Sequence, residues 1–193
     1  MNIALFASGN GSNVQAIIDR VEAGELDVNL AALVCDRPKA KVIERAEQAN
    51  IPALVASPKH FETREDWEFH VIDFLHDQQV DFIVLAGFMR LLKAPLLREF
   101  PNRIINIHPS YLPDFPGMNS IQDAYDAKVA ETGVTVFYVD EGIDTGKIIA
   151  QERIEINPEW SLETLETAVH EVEHRLYPAV IQNIQQSYNE RKK

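Results

Sequence analysis

Cysteine is almost absent from this chain. Cys35 stands alone among 193 residues, so no disulfide can form within the chain and a cysteine-rich zinc site is excluded. Positive charge is also scarce. Only 18 Lys and Arg face 30 Asp and Glu, a formal net charge of −12, which argues against a nucleic-acid partner because binding along a phosphate backbone needs clustered cations. An anionic ligand must therefore be held by a few local groups. No run approaches the ~20 consecutive apolar residues that a spanning helix needs, so no membrane partner is expected. The start MNIALFASGN lacks the basic flank and long apolar core of a signal peptide. With the lone thiol, this leads us to expect a cytoplasmic protein. Internal repeats, low-complexity tracts and an interdomain linker are missing too, so one domain over residues 1–185 is expected, with 186–193 a frayed, solvated tail.

What is present alternates. Short apolar runs at 3–7, 30–35, 53–56, 82–86, 104–108, 134–139 and 148–156 read as strands. IALFA, AALVC and FIVLA are apolar on both faces, as in parallel strands covered on two sides. Helix-like segments lie near 12–23, 38–49, 65–79 and 119–130, and in the third Trp67, Val71, Phe74 and Leu75 share a stripe. The βαβ succession predicts an α/β fold: a doubly wound, mostly parallel sheet. Near the C-terminus GVTVFYVDEGIDTGKIIAQERIEI reads as an antiparallel hairpin. Ser161 can cap a long final helix whose apolar stripe is Leu162, Leu165, Val169, Val172 and Leu176.

Four segments carry possible chemistry. In FASGNGSNVQAI a strand runs through Gly9 and Gly11 into a helix opened by Ser12 or Asn13, aiming backbone N–H groups at one spot suited to a phosphate. Val14 replaces the third glycine of a dinucleotide fingerprint, which points to a smaller phosphorylated ligand; a plain capped turn is the competing reading. In INIHP, strand alternation puts Asn106 and His108 on one face at the C-terminal sheet edge, where open α/β sheets form ligand crevices. Pro109, Pro113 and Pro116 then keep the following loop extended, leaving those groups uncovered. A lone histidine can equally be structural. In VDEGIDTGKII, Asp140, Glu141 and Asp144 crowd a turn that could bring a carboxylate to His108, or could be a solvated acidic tip. The calcium-loop spacing is missing and no metal is expected. LAGFMRLL offers an apolar wall with Arg90 within it, suited to a flat heterocycle with an acidic tail or simply to core packing. On the final helix His170 and Glu173 are expected to share a face opposite the apolar stripe, as many solvated pairs do.

In this order GNGSN, LAGFMRLL, NIHPSYLP, FPG, ETGVTV and DEGIDTG resemble the phosphoribosylglycinamide formyltransferases, folate-dependent enzymes of purine synthesis, from residue 1 to about residue 183. The resemblance implies a Rossmann-like formyltransferase fold and 10-formyltetrahydrofolate as co-substrate. It places the phosphate of phosphoribosylglycinamide on Gly11, Ser12 and Asn13, and the rest of that substrate near His170, Glu171, Val172 and Glu173. The folate maps onto Arg64, Met89, Arg90, Leu91, Leu92, Asn106, Asp140, Glu141, Gly142, Ile143 and Asp144. Asn106, His108 and Asp144 form the implied catalytic trio, with no metal. Asn106 and His108 would donate to the oxyanion formed when an amine attacks a formyl carbon, where each donor is typically worth about 3 kcal/mol. Asp144 would assist proton transfer directly or through water. Phe137, Asn119, Lys147 and His170 depart from the commonest family pattern, outside the trio. The family's alternatives are a formyltetrahydrofolate deformylase, expected to carry an extra N-terminal domain, and a methionyl-tRNA formyltransferase, expected to carry a basic C-terminal one. A folate- or nucleotide-binding regulator is a third reading. Assembly is left open between monomer and homodimer.

Overall fold

Ile3, Leu5 and Ala7 pack into one apolar cluster while Ala4 and Phe6 pack into another, which is why the first run tolerates no polar side chain on either face. The computed structural model describes residues 1–191. Its elements follow as β1 (Asn2–Ala7), α1 (Ser12–Glu22), β2 (Asn29–Cys35), α2 (Val42–Gln48), β3 (Ala53–Val55), α3 (Arg64–Asp77), β4 (Phe82–Leu85), α4 (Ala94–Glu99), β5 (Ile104–His108), α5 (Ser120–Asp126), β6 (Glu131–Tyr138), β7 (Ile148–Glu155) and α6 (Leu162–Arg191), with a 3₁₀ turn at Pro58–His60.

The strands form one sheet in the order β3-β2-β1-β4-β5-β6-β7. β1 to β5 pair in parallel, while β6 runs antiparallel to both β5 and β7. Chain order reverses between β1 and β4, so the crevice that such sheets use for ligands opens beyond their C-terminal ends. One face is covered by α1 and α6 through Val14, Ile17, Leu165, Val169 and Tyr177. The other is covered by α3 through Trp67, Val71 and Leu75. A capping box starts α3, Thr63 Oγ1 accepting from Asp66 N and Asp66 Oδ2 accepting from Thr63 N, both at 3.0 Å.

Several boundaries differ from the sequence reading. The second helix starts at Val42 rather than 38, with Pro38 in the turn before it, and α5 stops at Asp126. β6 starts at Glu131, drawn into pairing by Glu155 across the hairpin. The short α4 was not anticipated, because six residues carry too little periodicity to register. The final helix continues beyond residue 186: its backbone is helical through Arg191, and Tyr188 Oη donates to Asp81 Oδ1 at 2.6 Å. Residues 192 and 193 lie outside the described residues.

Candidate active site

At the end of β1 the backbone turns through Gly11 at φ 76°, and this residue is itself the N-cap of α1, with no side chain capping the helix. Sequence spacing favoured Ser12 or Asn13 for that place. A Cβ on Gly11 would lie 2.5 Å from Val42 Cγ2, so both the backbone twist and the close approach require glycine. Arg45 braces the loop from outside, donating to Asn10 O at 2.8 Å and Asn10 Oδ1 at 2.9 Å. The first-turn N–H groups of α1 are thus left for an acceptor outside the chain, which is the arrangement an anion uses. Asn13 Oδ1 is buried beside them without a hydrogen-bond partner.

β5 delivers Asn106 and His108 to the same edge, with Phe137 of β6 directly across the ladder from Asn106. His108 is buried, and its Nε2 lies 2.9 Å from the carbonyl of Phe115. A carbonyl only accepts, so Nε2 carries the proton. Nδ1 faces Asp144 Oδ2 at 3.6 Å. Asp144 is held in turn by Gly117 N, which donates to Oδ2 at 3.0 Å, and its own φ of 54° turns the side chain inward to 12% exposure. Left-handed backbone is uncommon for a residue with a Cβ, though Asp adopts it more readily than most. Only Nε2 of His108 is hydrogen-bonded, and the side-chain amide of Asn106 beside it makes no hydrogen bond among the described residues.

These groups border a cleft of about 400 Å³ whose opposite wall is the segment after β4, Met89 to Leu92, and whose mouth is rimmed by exposed Met118 and Ile143. Phe137 is buried on its floor. Asp140 lies on the rim, where Oδ1 accepts from Gly142 N and Thr145 Oγ1 and shapes the turn that presents Asp144. Arg90 lines the cleft, and its Nε is bound to buried Asp36 Oδ2 at 2.5 Å, which fixes the guanidinium from behind. Arg64 and Glu141 do not line the cleft. Arg64 lies 4.3 Å over the Trp67 ring and donates to Leu91 O at 3.0 Å, so it supports the wall from behind. Glu68, fully buried, accepts from Lys93 N and Leu96 N, and burial raises its carboxyl above the ordinary range.

On α6 the expected exposed pair proves half-buried. Glu173 is 4% exposed, because the true buried stripe runs Leu165, Val169, Glu173, Tyr177 and Val180 at intervals of four and three, rotated from the one drawn through Val172 and Leu176. His170 Nδ1 lies 2.7 Å from Glu173 Oε2, and that bond raises the imidazole above its usual value. Burial lowers His174, whose Nε2 has no hydrogen-bond partner. Glu171 lines a separate shallow groove beside Trp160, and Val172 packs against the core, whereas His170 and Glu173 are joined as a pair. Tyr177 Oη lies under the cleft, donating to Leu85 O at 2.8 Å and Ile105 O at 3.2 Å where β4 and β5 separate. Asp36, Glu68 and Tyr177 escaped sequence reasoning, while Phe115 and Gly117 entered it only as the ends of the FPG motif, with no role assigned to either. Among the described residues no group of three or more His, Cys, Asp or Glu could hold a metal, and no helix is long and apolar enough to cross a membrane.

A model of the formyl transferase family matches residues 1–181. The phosphoribosylglycinamide formyltransferase of Bacillus subtilis (strain 168) is 49% identical over 181 residues, covering 94% of this chain and 93% of that protein. The crystal structure of glycinamide ribonucleotide transformylase 1 from Geobacillus kaustophilus superimposes with a TM-score of 0.93 at 51% identity, over 95% of this chain and 97% of that one. The trifunctional purine biosynthetic protein adenosine-3 of Drosophila melanogaster is 41% identical over 93% of this chain, which spans 13% of that longer protein. Matched in sequence and backbone along nearly its whole length, the chain belongs to the formyl transferase family.

Proposed function

We propose that this protein transfers the formyl group of 10-formyltetrahydrofolate to the amine of phosphoribosylglycinamide, giving the N-formyl ribonucleotide of purine biosynthesis. The observation that carries this reading is the convergence of Asn106, His108 and Asp144 on one cleft, with His108 and Asp144 3.6 Å apart, in a chain 49% identical to a protein of that name. The uncapped start of α1 suits the substrate's phosphate, and the apolar wall at Met89 to Leu92 suits a flat pteridine.

Attack by the amine nitrogen on the formyl carbon places negative charge on the formyl oxygen. The Asn106 amide donates to that oxygen at once, since it has no competing partner. Nε2 of His108 can join it only when the Phe115 carbonyl gives way to the oxygen. Asp144, an acceptor beside Nδ1, takes the proton shed by the attacking nitrogen, directly or through a water. When the carbon–nitrogen bond to the folate breaks, the departing nitrogen takes a proton back from the same pair. Correctly placed proton transfer is worth roughly 10²–10⁴ in rate.

Formyl transfer between the two substrates, followed as tetrahydrofolate release, tests the reading. Asp144→Asn should lower kcat by roughly 10²–10⁴-fold with little change in either KM. Formate release at the full rate without the ribonucleotide acceptor would favour hydrolysis instead, and equal binding with no turnover in wild type and variant would favour a regulator.

A further inference from the structure

The cleft wall between Gly87 and Lys93 belongs to no helix or strand, yet it is held at successive points by side chains from elsewhere. Ser8 Oγ accepts from Met89 N at 2.9 Å, Asp36 holds Arg90, Arg64 reaches Leu91 O, and Glu68 Oε1 accepts from Lys93 N at 2.6 Å. Glu68 is the hub of this bracing. Its second oxygen takes Leu96 N at 3.1 Å, so a carboxylate on α3, 25 and 28 residues away, caps the start of α4. The same Oε1 lies 3.7 Å from Arg64 Nε and so helps aim the guanidinium at Leu91. A fully buried acid is a poor way to gain stability, since apolar residues of equal volume commonly replace buried charges without loss. What a two-oxygen acceptor supplies here is direction: it sets where the wall ends and where α4 begins.

We propose that Glu68 is a positioning residue that sets the fit of the Met89–Leu92 wall to the folate without touching it. This rests on the reading that the cleft takes a folate. The consequence is selective, because the hydrogen bonds and ion pair of Glu68 go to Lys93, Leu96 and Arg64 and to neither the α1 loop nor His170. In Glu68→Gln the amide nitrogen must face one of two N–H donors. Its Kd for tetrahydrofolate, measured by fluorescence titration, should rise about tenfold, while the Kd for phosphoribosylglycinamide stays within about twofold of wild type. Glu68→Asp keeps both acceptor oxygens on a shorter arm and should show a smaller rise of the same kind; it also serves should the glutamine variant fail to fold. A lowered melting temperature with an unchanged tetrahydrofolate Kd, or equal weakening toward both ligands, overturns the proposal. Wild-type protein that binds tetrahydrofolate but transfers no formyl group would instead sink the functional reading, and the Kd comparison would still decide the role of Glu68.

Discussion

Single atoms decide whether this edge of the sheet can bind and react. Asp144 accepts left-handed backbone so that its carboxylate faces His108, and Phe115 O fixes which imidazole nitrogen carries the proton. On α6, Glu173 holds the proton of His170 while burial favours the neutral form of His174, so of these neighbouring imidazoles His170 is protonated first as pH falls. The His170 value is raised on folding. Its contribution is therefore complete below the unfolded value of about 6.5 and fades as pH rises through the higher folded value. With a side chain 49% exposed, solvent screening keeps that contribution below about 1 kcal/mol. His170→Gln should accordingly be less stable than wild type in urea near pH 6, with the gap closing by about pH 9. A gap that widened with pH would mean that Glu173 does not hold the proton.

Elements are placed by caps and stripes of unequal legibility. The apolar stripe of α3 was readable from Trp67, Val71 and Leu75, but Glu68, one position along, was indistinguishable from a solvated glutamate until α4 packed over it. On α6 the intervals were readable and the phase was not. Tyr177 and Glu173 turn inward because Tyr177 finds the carbonyls of β4 and β5, contacts that exist only once the sheet has formed. The box at Thr63 is purely local, and its removal tests α3 directly. Thr63→Ala should cost about 0.5–2 kcal/mol of unfolding free energy in urea, with no change in slope against denaturant. A neutral result would show that packing of Trp67 and Val71 alone sets the helix start.

At the scale of the whole molecule, one sheet runs unbroken from β3 to β7 with a helical layer on each face, and α6 crosses from the hairpin to Asp81 at the far end of the strands. Such a body has no seam along which a part could melt first. Calorimetry should give one transition with an enthalpy of about 130 kcal/mol, on the order of 0.7 kcal/mol per residue near 60 °C. Two separated transitions would mean that β6, β7 and α6 form a unit of their own.

Local pattern alone determined the alternation of strands and helices, the hairpin, the strand edge carrying Asn106 and His108, and the glycine turn before α1, because periodicity and turn chemistry act over a few residues. Tertiary structure decided which acid reaches His108, that Arg90 in the cleft wall pairs with Asp36, and that Glu68 and Glu173 lie inside. A buried acid and a solvated one are the same letter. What separates them is the donor that arrives from a distant segment, and neither spacing nor composition records it.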